Sequence, residues 1–350
     1  MSSNRLLIYG ANGYTGTLIA RTAVKLGLHL ILAGRHPDRV EPLAHELGLD
    51  CRAFALDDET AIDAALSDVG VLLNCAGPFL HTFEPLVDAC LRNGTHYLDI
   101  TGEIPVFESI AARHAEAKSA GIMLLPGVGY DVAPSDCLAA HLKNRLPSAT
   151  RLTLAAVSIG KLSRGTATTM IENIHLGGRI RRDGVLTQVP AAWKYKTIDF
   201  GQGPVKAVSF PWGDVSTAFY STGIPNIEFY MAFPDPVLRQ IQMSRLLGWL
   251  LRSSLVQRYL KARIQKQPPG PTEEERAGAV SLFWGEVEDD QGRRVTSRLK
   301  TPEGYTLTAL TAVAAAKKAL TGSAPAGFNT PSLAYGADFI LEFEGVVRSD

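Results

Sequence analysis

Gly10-Ala11-Asn12-Gly13-Tyr14-Thr15-Gly16 decides the reading of this chain. It follows the apolar run Arg5–Gly10, which reads as a buried strand. It opens the stretch Tyr14–Leu26, whose Leu18, Ile19, Ala23 and Leu26 recur at helical spacing. A glycine loop between a strand and a helix is built to hold a pyrophosphate. Gly10 permits the tight turn, Gly13 leaves room where a Cβ would block the phosphates, and Gly16 lets the helix pack closely on the sheet. The free N–H groups of the first helical turn and the helix dipole supply positive potential. Asn12, Tyr14 and Thr15 belong to the same predicted dinucleotide site.

The sequence around the loop repeats the pattern. Leu28–Gly34, Cys51–Leu56, Val69–Asn74, Tyr97–Ile100 and Ile122–Leu125 read as further short apolar strands. Helical stretches near Pro37–Leu47, Glu59–Leu66, Phe83–Asn93 and Phe107–Ala120 separate them. Continuous apolar strands alternating with helices predict a parallel sheet covered on both faces, the doubly wound Rossmann-type α/β class. The rhythm changes after Pro126. Arg151–Ile159, Gly184–Val189, Val205–Phe210, Asn226–Ala232, Ala279–Glu288 and Arg293–Lys300 predict a second, mixed α+β domain on a largely antiparallel sheet. A helix around Ser135–Asn144 leads into it, and Gln267–Glu275 reads as a surface linker. The alanine-rich helix Tyr305–Leu320 has a small-residue surface suited to close packing. The expected division is 1–132 for the dinucleotide domain, 133–304 for a substrate and oligomerisation domain, and 305–350 for a segment that returns to the first.

The cofactor choice is read at the end of the second strand, Ala33-Gly34-Arg35. A site for NAD usually places Asp or Glu there for the ribose 2′-OH. Gly34 and Arg35 stand in its place, with Arg39 one turn on, and a guanidinium suits a 2′-phosphate. NADP is the expected cofactor. Asp38 falls in the first turn of the following helix and suits its dipole. Asp57 either borders the adenine or caps the next helix. Cys75, Ala76, Gly77, Pro78 and Phe79 follow the fourth strand and border the cofactor crevice, small residues letting the nicotinamide ribose approach. No basic neighbour in sequence would activate Cys75, so it reads as a structural thiol.

Composition excludes other classes. The 350 residues hold 35 Lys and Arg against 35 Asp and Glu, a net charge of zero. That balance argues against nucleic acid as a partner. Hydrophobic residues make up 46% of the chain and mean hydropathy is +0.05, enough for sizeable cores. The four cysteines, at 51, 75, 90 and 137, form no C-x-x-C pair and predict reduced thiols. The eight histidines show no zinc-ligand spacing, and no metal is expected. No signal peptide is read at the N-terminus, and no uncharged run reaches the roughly 18 residues of a membrane span. A cytoplasmic location is expected.

GANGYTG, AGR (33–35), NCAGPF (74–79), GTHYLDITGE (94–103) and GVGYDVAPSD (127–136) together resemble the saccharopine dehydrogenase-like oxidoreductases, a group that includes the trans-acting enoyl reductases of polyketide synthesis. RGTATTMIENI (164–174), PWGDVSTAFYSTGIPNIEFY (211–230), TPEGYTLTA (301–309) and TPSLAYGADF (330–339) extend the resemblance over nearly the whole chain. It implies an NADP-binding Rossmann domain and a second α/β domain that supplies substrate contacts and often a dimer interface. The loop departs from the G-x-G-x-x-G of the saccharopine-forming reductases. Its spacing is also that of short-chain dehydrogenases, but none of the ten tyrosines has a lysine four residues later, so their Tyr-x-x-x-Lys pair is missing.

A nicotinamide reductase needs a proton source beside the hydride. Tyr97 and Asp99 share one face of the fifth strand, and Asp131 leaves the sixth at the same sheet edge. These three are the expected general acids. Glu103 and Tyr130 at that edge, with Lys161, Arg164 and Thr166 before a helix of the second domain, are the expected substrate contacts. His175 ends that helix and suits its dipole. Arg179, Arg181 and Arg182 read as a solvated turn or a grip on an acidic substrate tail. Pro236–Ile264 is apolar over most of its helical circumference, with Arg245, Arg252 and Arg263 on one stripe. Burial of Leu247, Trp249, Leu250 and Leu251 in protein contacts, through the second domain or a symmetric partner, is the expected reason, and a homo-oligomer, a dimer first, is expected. A lid over a lipid-like substrate, or peripheral membrane contact, is the less favoured one. The expected function is NADPH-dependent reduction of a C=C or C=N bond of a small molecule. The rivals are a non-catalytic NADP-binding sensor or scaffold and a peripheral membrane protein.

Overall fold

The computed structural model of the chain describes residues 4–158, 161–173, 177–234, 238 and 253–350. Two compact units divide it: 1–133 with 305–336, and 134–304 with 337–350.

The first unit is a seven-stranded, all-parallel sheet. In chain order it contains β1 (Arg5–Tyr9), α1 (Tyr14–Lys25), β2 (His29–Gly34), α2 (Pro37–Leu47), β3 (Asp50–Ala53), α3 (Glu59–Leu66), β4 (Val71–Asn74), α4 (Phe83–Asn93), β5 (His96–Asp99), α5 (Ile104–Ala112), α6 (His114–Ala120) and β6 (Met123–Leu125). The strand order is β3-β2-β1-β4-β5-β6, with a seventh strand, Gly327–Phe328, beside β6. Leu6, Leu7 and Ile8 of β1 and Val71, Leu72 and Leu73 of β4 are wholly buried, as strands covered on both faces require. The stretch 107–120 is two helices, with Arg113 between them. This is the doubly wound class predicted from the alternation, and its C-terminal strand ends gather the loops where such sheets bind ligands.

The second unit holds α7 (Ala133–Arg145), β7 (Arg151–Ser158), α8 (Arg164–Asn173), β8 (Gly178–Arg182), β9 (Val185–Val189), β10 (Tyr195–Asp199), β11 (Pro204–Ser209), α9 (Asp214–Thr222), β12 (Asn226–Ala232), α10 (Ser254–Ile264), α11 (Glu273–Ala277), β13 (Val280–Glu288) and β14 (Arg294–Pro302). Its sheet runs β10-β11-β12-β7-β13-β14, mixed only at the parallel pair β12–β7, with the β8–β9 hairpin attached to β12. Ala155, Ile198, Tyr230, Leu282 and Trp284 form one core cluster. A Cβ at Gly285 would lie 2.5 Å from Leu142, so that glycine lets α7 approach β13 closely.

The run Arg179–Arg182 is a strand, not the expected turn. Asp183 (φ 50°) and Gly184 (φ 79°) form the bend instead, both in the left-handed region that a two-residue hairpin requires. β10, which the sequence reading passed over, completes the sheet edge.

α12 (Gly304–Leu320) carries the chain back. Tyr305–Gly336 belongs to the first unit, where Ala312, Val313, Ala315 and Ala316 are fully buried, and β15 (Gly327–Phe328) and α13 (Pro331–Tyr335) follow. The last stretch departs from expectation. Ala337–Asp350 joins the second unit, because β16 (Val347–Ser349) pairs with β14. Leu247, Trp249, Leu250, Leu251 and His175 lie outside the described residues.

Candidate functional site

The glycine loop is fixed by backbone hydrogen bonds. Gly10 and Ala11 N–H donate to Ala33 O (2.8 and 3.2 Å), and Gly13 N–H donates to Gly10 O (3.0 Å). Gly10 has φ +80°, and a Cβ there would lie 2.8–2.9 Å from Ala76. A Cβ at Gly16 would stand 2.4 Å from Gly10 O. Steric need thus accounts for both glycines. At Gly13 an added Cβ would have only Gly10 O as a neighbour, at 3.3 Å, so that glycine's exposed side is open for a ligand. Gly13 is also the N-cap of α1, with no side-chain cap and no acidic residue in the first turn. The helix start is left to an anion. These residues fit a pyrophosphate.

The ribose end fits a 2′-phosphate. A Cβ on Gly34 would lie 3.2 Å from Asn12 Oδ1 and 2.8 Å from Val40, so the side chain of Asn12 lies where an NAD-type acid would begin. Arg35 and Arg39 are exposed, and neither is in an ion pair among the described residues. Arg35 Nε lies 3.0 Å from His36 Nε2. Tyr9 is buried against Phe54, and its phenol is pushed up to about 12 by burial, with Arg35 pulling the other way. Asp57 is exposed and does not cap α3. That cap is Asp58, whose Oδ1 accepts from Ala61 N–H at 3.0 Å.

A buried polar network ties together the loops after β4, β5 and β6. Asn74 Oδ1 accepts from Ala76 N–H (3.0 Å), and its Nδ2 donates to Thr82 Oγ1 (3.1 Å) and Tyr97 OH (3.3 Å). Tyr97 OH donates to Asp99 Oδ2 at 2.9 Å. Asp99 Oδ1 accepts from the N–H groups of Thr101 and Gly127, each at 2.9 Å. Burial pushes the Asp99 carboxyl up to about 7 despite those donors, and burial likewise raises Tyr97. Glu103 accepts from Phe79 N–H (2.7 Å) and Leu80 N–H (3.1 Å), clamping the Cys75–Phe79 loop from 24 residues away. Burial, then the charge of Asp99, pushes the Cys75 thiol well above its ordinary value, in keeping with a structural thiol.

This geometry revises three of the expected roles. Tyr97 and Asp99 point the same way, as strand alternation requires, but both are fully buried and bonded to each other. Glu103 is buried and engaged with backbone N–H groups. All three turn their polar atoms to other groups of the protein. Tyr130 and Asp131 are half-buried in the loop after β6. Tyr130 N–H donates to Thr308 Oγ1 of α12 at 2.9 Å. A methyl group at Gly102 would sit 1.8 Å from Asp131 Oδ2, so the bare glycine makes the carboxylate's seat. Tyr14 of the cofactor helix meets Tyr305 of α12 edge-on, ring centres 5.1 Å apart. Asn74, Thr82, Tyr305 and Thr308 were missed by sequence reasoning. Only Asn74, a polar residue closing an apolar strand, carried a local signal.

In the second unit the expected anion site is filled by the chain itself. Ser163 Oγ accepts from Thr166 N–H (3.2 Å) and caps α8, while Arg164 donates to Gln265 O (3.3 Å). Lys161 is ion-paired with Glu275. Arg181 is buried, not solvated. It donates to the carbonyls of Val215 and Gly184, both at 2.9 Å, and lies 4.3 Å from the Phe219 ring centre.

The model of the saccharopine dehydrogenase NADP-binding domain family matches residues 6–125. The family model supports NADP as the cofactor. Over 152 residues the chain is 32% identical to the trans-acting enoyl reductase of Mycobacterium leprae, a match covering 40% of this chain and 36% of that protein. Over 161 residues it is 25% identical to the saccharopine dehydrogenase-like oxidoreductase of Homo sapiens, covering 40% and 38%. The match thus spans little more than a third of the length of these curated relatives. Saccharopine dehydrogenase (L-Glu forming) from Saccharomyces cerevisiae has the same fold, with TM-score 0.68 over 99% of both chains at 14% identity. No helix among the described residues is long and apolar enough to cross a membrane.

Proposed function

We propose that the chain is an NADPH-dependent reductase that acts on a C=C or C=N bond of an apolar small molecule. One observation carries this reading: the Gly10–Gly16 loop and the half-buried Tyr130 and Asp131 gather at the same strand ends of one parallel sheet. NADPH, when bound, supplies the hydride. The loop and the start of α1 hold its pyrophosphate, and Arg35 and Arg39 hold the 2′-phosphate. Asp131 in its acid form gives a proton to the substrate atom that gains the electron pair, and Tyr130 orients that atom. Tyr97 and Asp99 hold the Gly127–Asp131 backbone so that Asp131 meets its target. That the mycobacterial relatives are trans-acting enoyl reductases favours an enoyl C=C among the two bond types.

NADPH consumption is the test, measured against a panel of enoyl, imine and keto compounds. Turnover of an enoyl or imine substrate that Asp131→Asn abolishes, with NADPH affinity kept, is the expected result. NADPH binding without turnover of any panel member would favour the sensor or scaffold reading.

A further inference from the structure

The sequence from Pro236 to Thr272 carries seven Lys or Arg and no Asp or Glu. The rest of the chain is left with 28 basic and 35 acidic residues, so a neutral protein concentrates its positive charge in one stretch. Residue 238 and residues 253–272 of that stretch are described, and α10 is the helix among them. At about 100° per residue, Leu255, Tyr259, Ala262 and Lys266 fall in one narrow arc, with Arg258 and Arg263 on its two flanks. All six are exposed, whereas Ile264 on the opposite side is buried. Leu255 is 69% and Tyr259 65% exposed, on a face where a helix bordering only water would carry polar groups. α8 packs beside α10, and its Met170, with Leu162 just before it, is exposed as well.

We infer that this face of α10 docks on the surface of an anionic lipid bilayer. A leucine and a tyrosine flanked by Lys and Arg suit a helix lying in the headgroup region. The apolar side chains enter the acyl boundary, and the cations meet lipid phosphates. A second copy of the chain fits the face less well. A twofold contact lays the same patch against itself, so cations would oppose cations with no acid on α10 to pair them. The nearest acids in sequence begin at Glu273, and Glu275 is already paired with Lys161. Zero net charge does not oppose docking, because attraction to a charged surface is set by the residues within a Debye length of it.

Co-sedimentation of the full chain with vesicles tests this, comparing equimolar phosphatidylcholine and phosphatidylglycerol with phosphatidylcholine alone. The protein is expected to sediment with the anionic vesicles, to stay in solution with the neutral ones, and to be released by high salt. The double variant Leu255→Asp/Tyr259→Asp should lower the bound fraction about tenfold, with its melting temperature and NADPH affinity kept. Arg263→Glu/Lys266→Glu changes only exposed charge and should act in the same direction, which keeps the test open if the first variant misfolds. A folded protein that ignores anionic vesicles overturns the inference. So does a drop in light-scattering mass in the first variant without vesicles, which would show that a second copy covers the face.

Discussion

At the residue scale we propose that the cofactor's choice rests on Arg35. Charge-assisted hydrogen bonds contribute about 1.5–3 kcal/mol each, so Arg35→Asp is expected to weaken NADPH binding by roughly ten- to a hundredfold and to leave NADH little changed. Titration of both cofactors by fluorescence checks this, and an unaltered preference would remove the arginine from the site. Asp99 offers a second measurement. Its carboxyl is held near 7 in the folded protein against about 4 when unfolded. Between those values the native state keeps a proton that the unfolded chain has lost. This contribution to stability is therefore full below about pH 4 and is lost as pH rises through 7, with a slope of at most about 1.4 kcal/mol per pH unit. Asp99→Asn imitates the protonated form, so the stability of the variant relative to wild type should rise over that window; parallel denaturation curves from pH 5 to 8 would refute it. Gly102→Ala places a methyl group on the Asp131 carboxylate. It should lower turnover by about a hundredfold while NADPH still binds, as single-turnover kinetics would show. The glycine loop between β1 and α1 was legible because its meaning lies in local spacing. The roles of Tyr97, Asp99 and Glu103 were not, because their partners lie up to 28 residues away and only the fold shows which are buried.

At the scale of elements, alternation of apolar strands and helices was enough to read the first sheet, since its central strands, unlike the exposed edge strand β3, are buried on both faces. The second sheet was read less completely. β8 carries three arginines in five residues, and β10 carries Lys196 and Asp199, so charge hid both strands. Arg181 is masked for another reason: its burial depends on carbonyls supplied by Val215 and Gly184 and on the ring of Phe219. α8 shows how an element consumes an apparent site. Its first turn is satisfied by Ser163, so Ser163→Ala should cost about 1 kcal/mol and lower the melting temperature by a few degrees. NADPH affinity should not change, and a changed affinity would return that helix start to the ligand.

At the scale of the molecule, the family resemblance together with the alanine surface of α12 made its docking on the first unit an expectation, and Thr308 and Tyr305 bring that helix to the Tyr130 loop and to Tyr14. The exchange of the last residues back to the second unit had no such cue: β16 is three residues long and pairs with a strand far away in sequence. Because Tyr305–Gly336 completes the first unit, residues 1–133 produced alone should aggregate, with the edge of β6 bare where β15 belongs. A soluble monomer of that fragment with a two-state melt would count against the assignment. The same return sets an order of events during synthesis. At about 5–20 residues per second, β6 waits on the order of 10–40 s on the ribosome before its neighbour is made. Through that interval a nascent NADP-binding unit has its glycine loop but not its seventh strand, and the open edge of β6 offers unpaired N–H and C=O groups to any neighbouring chain.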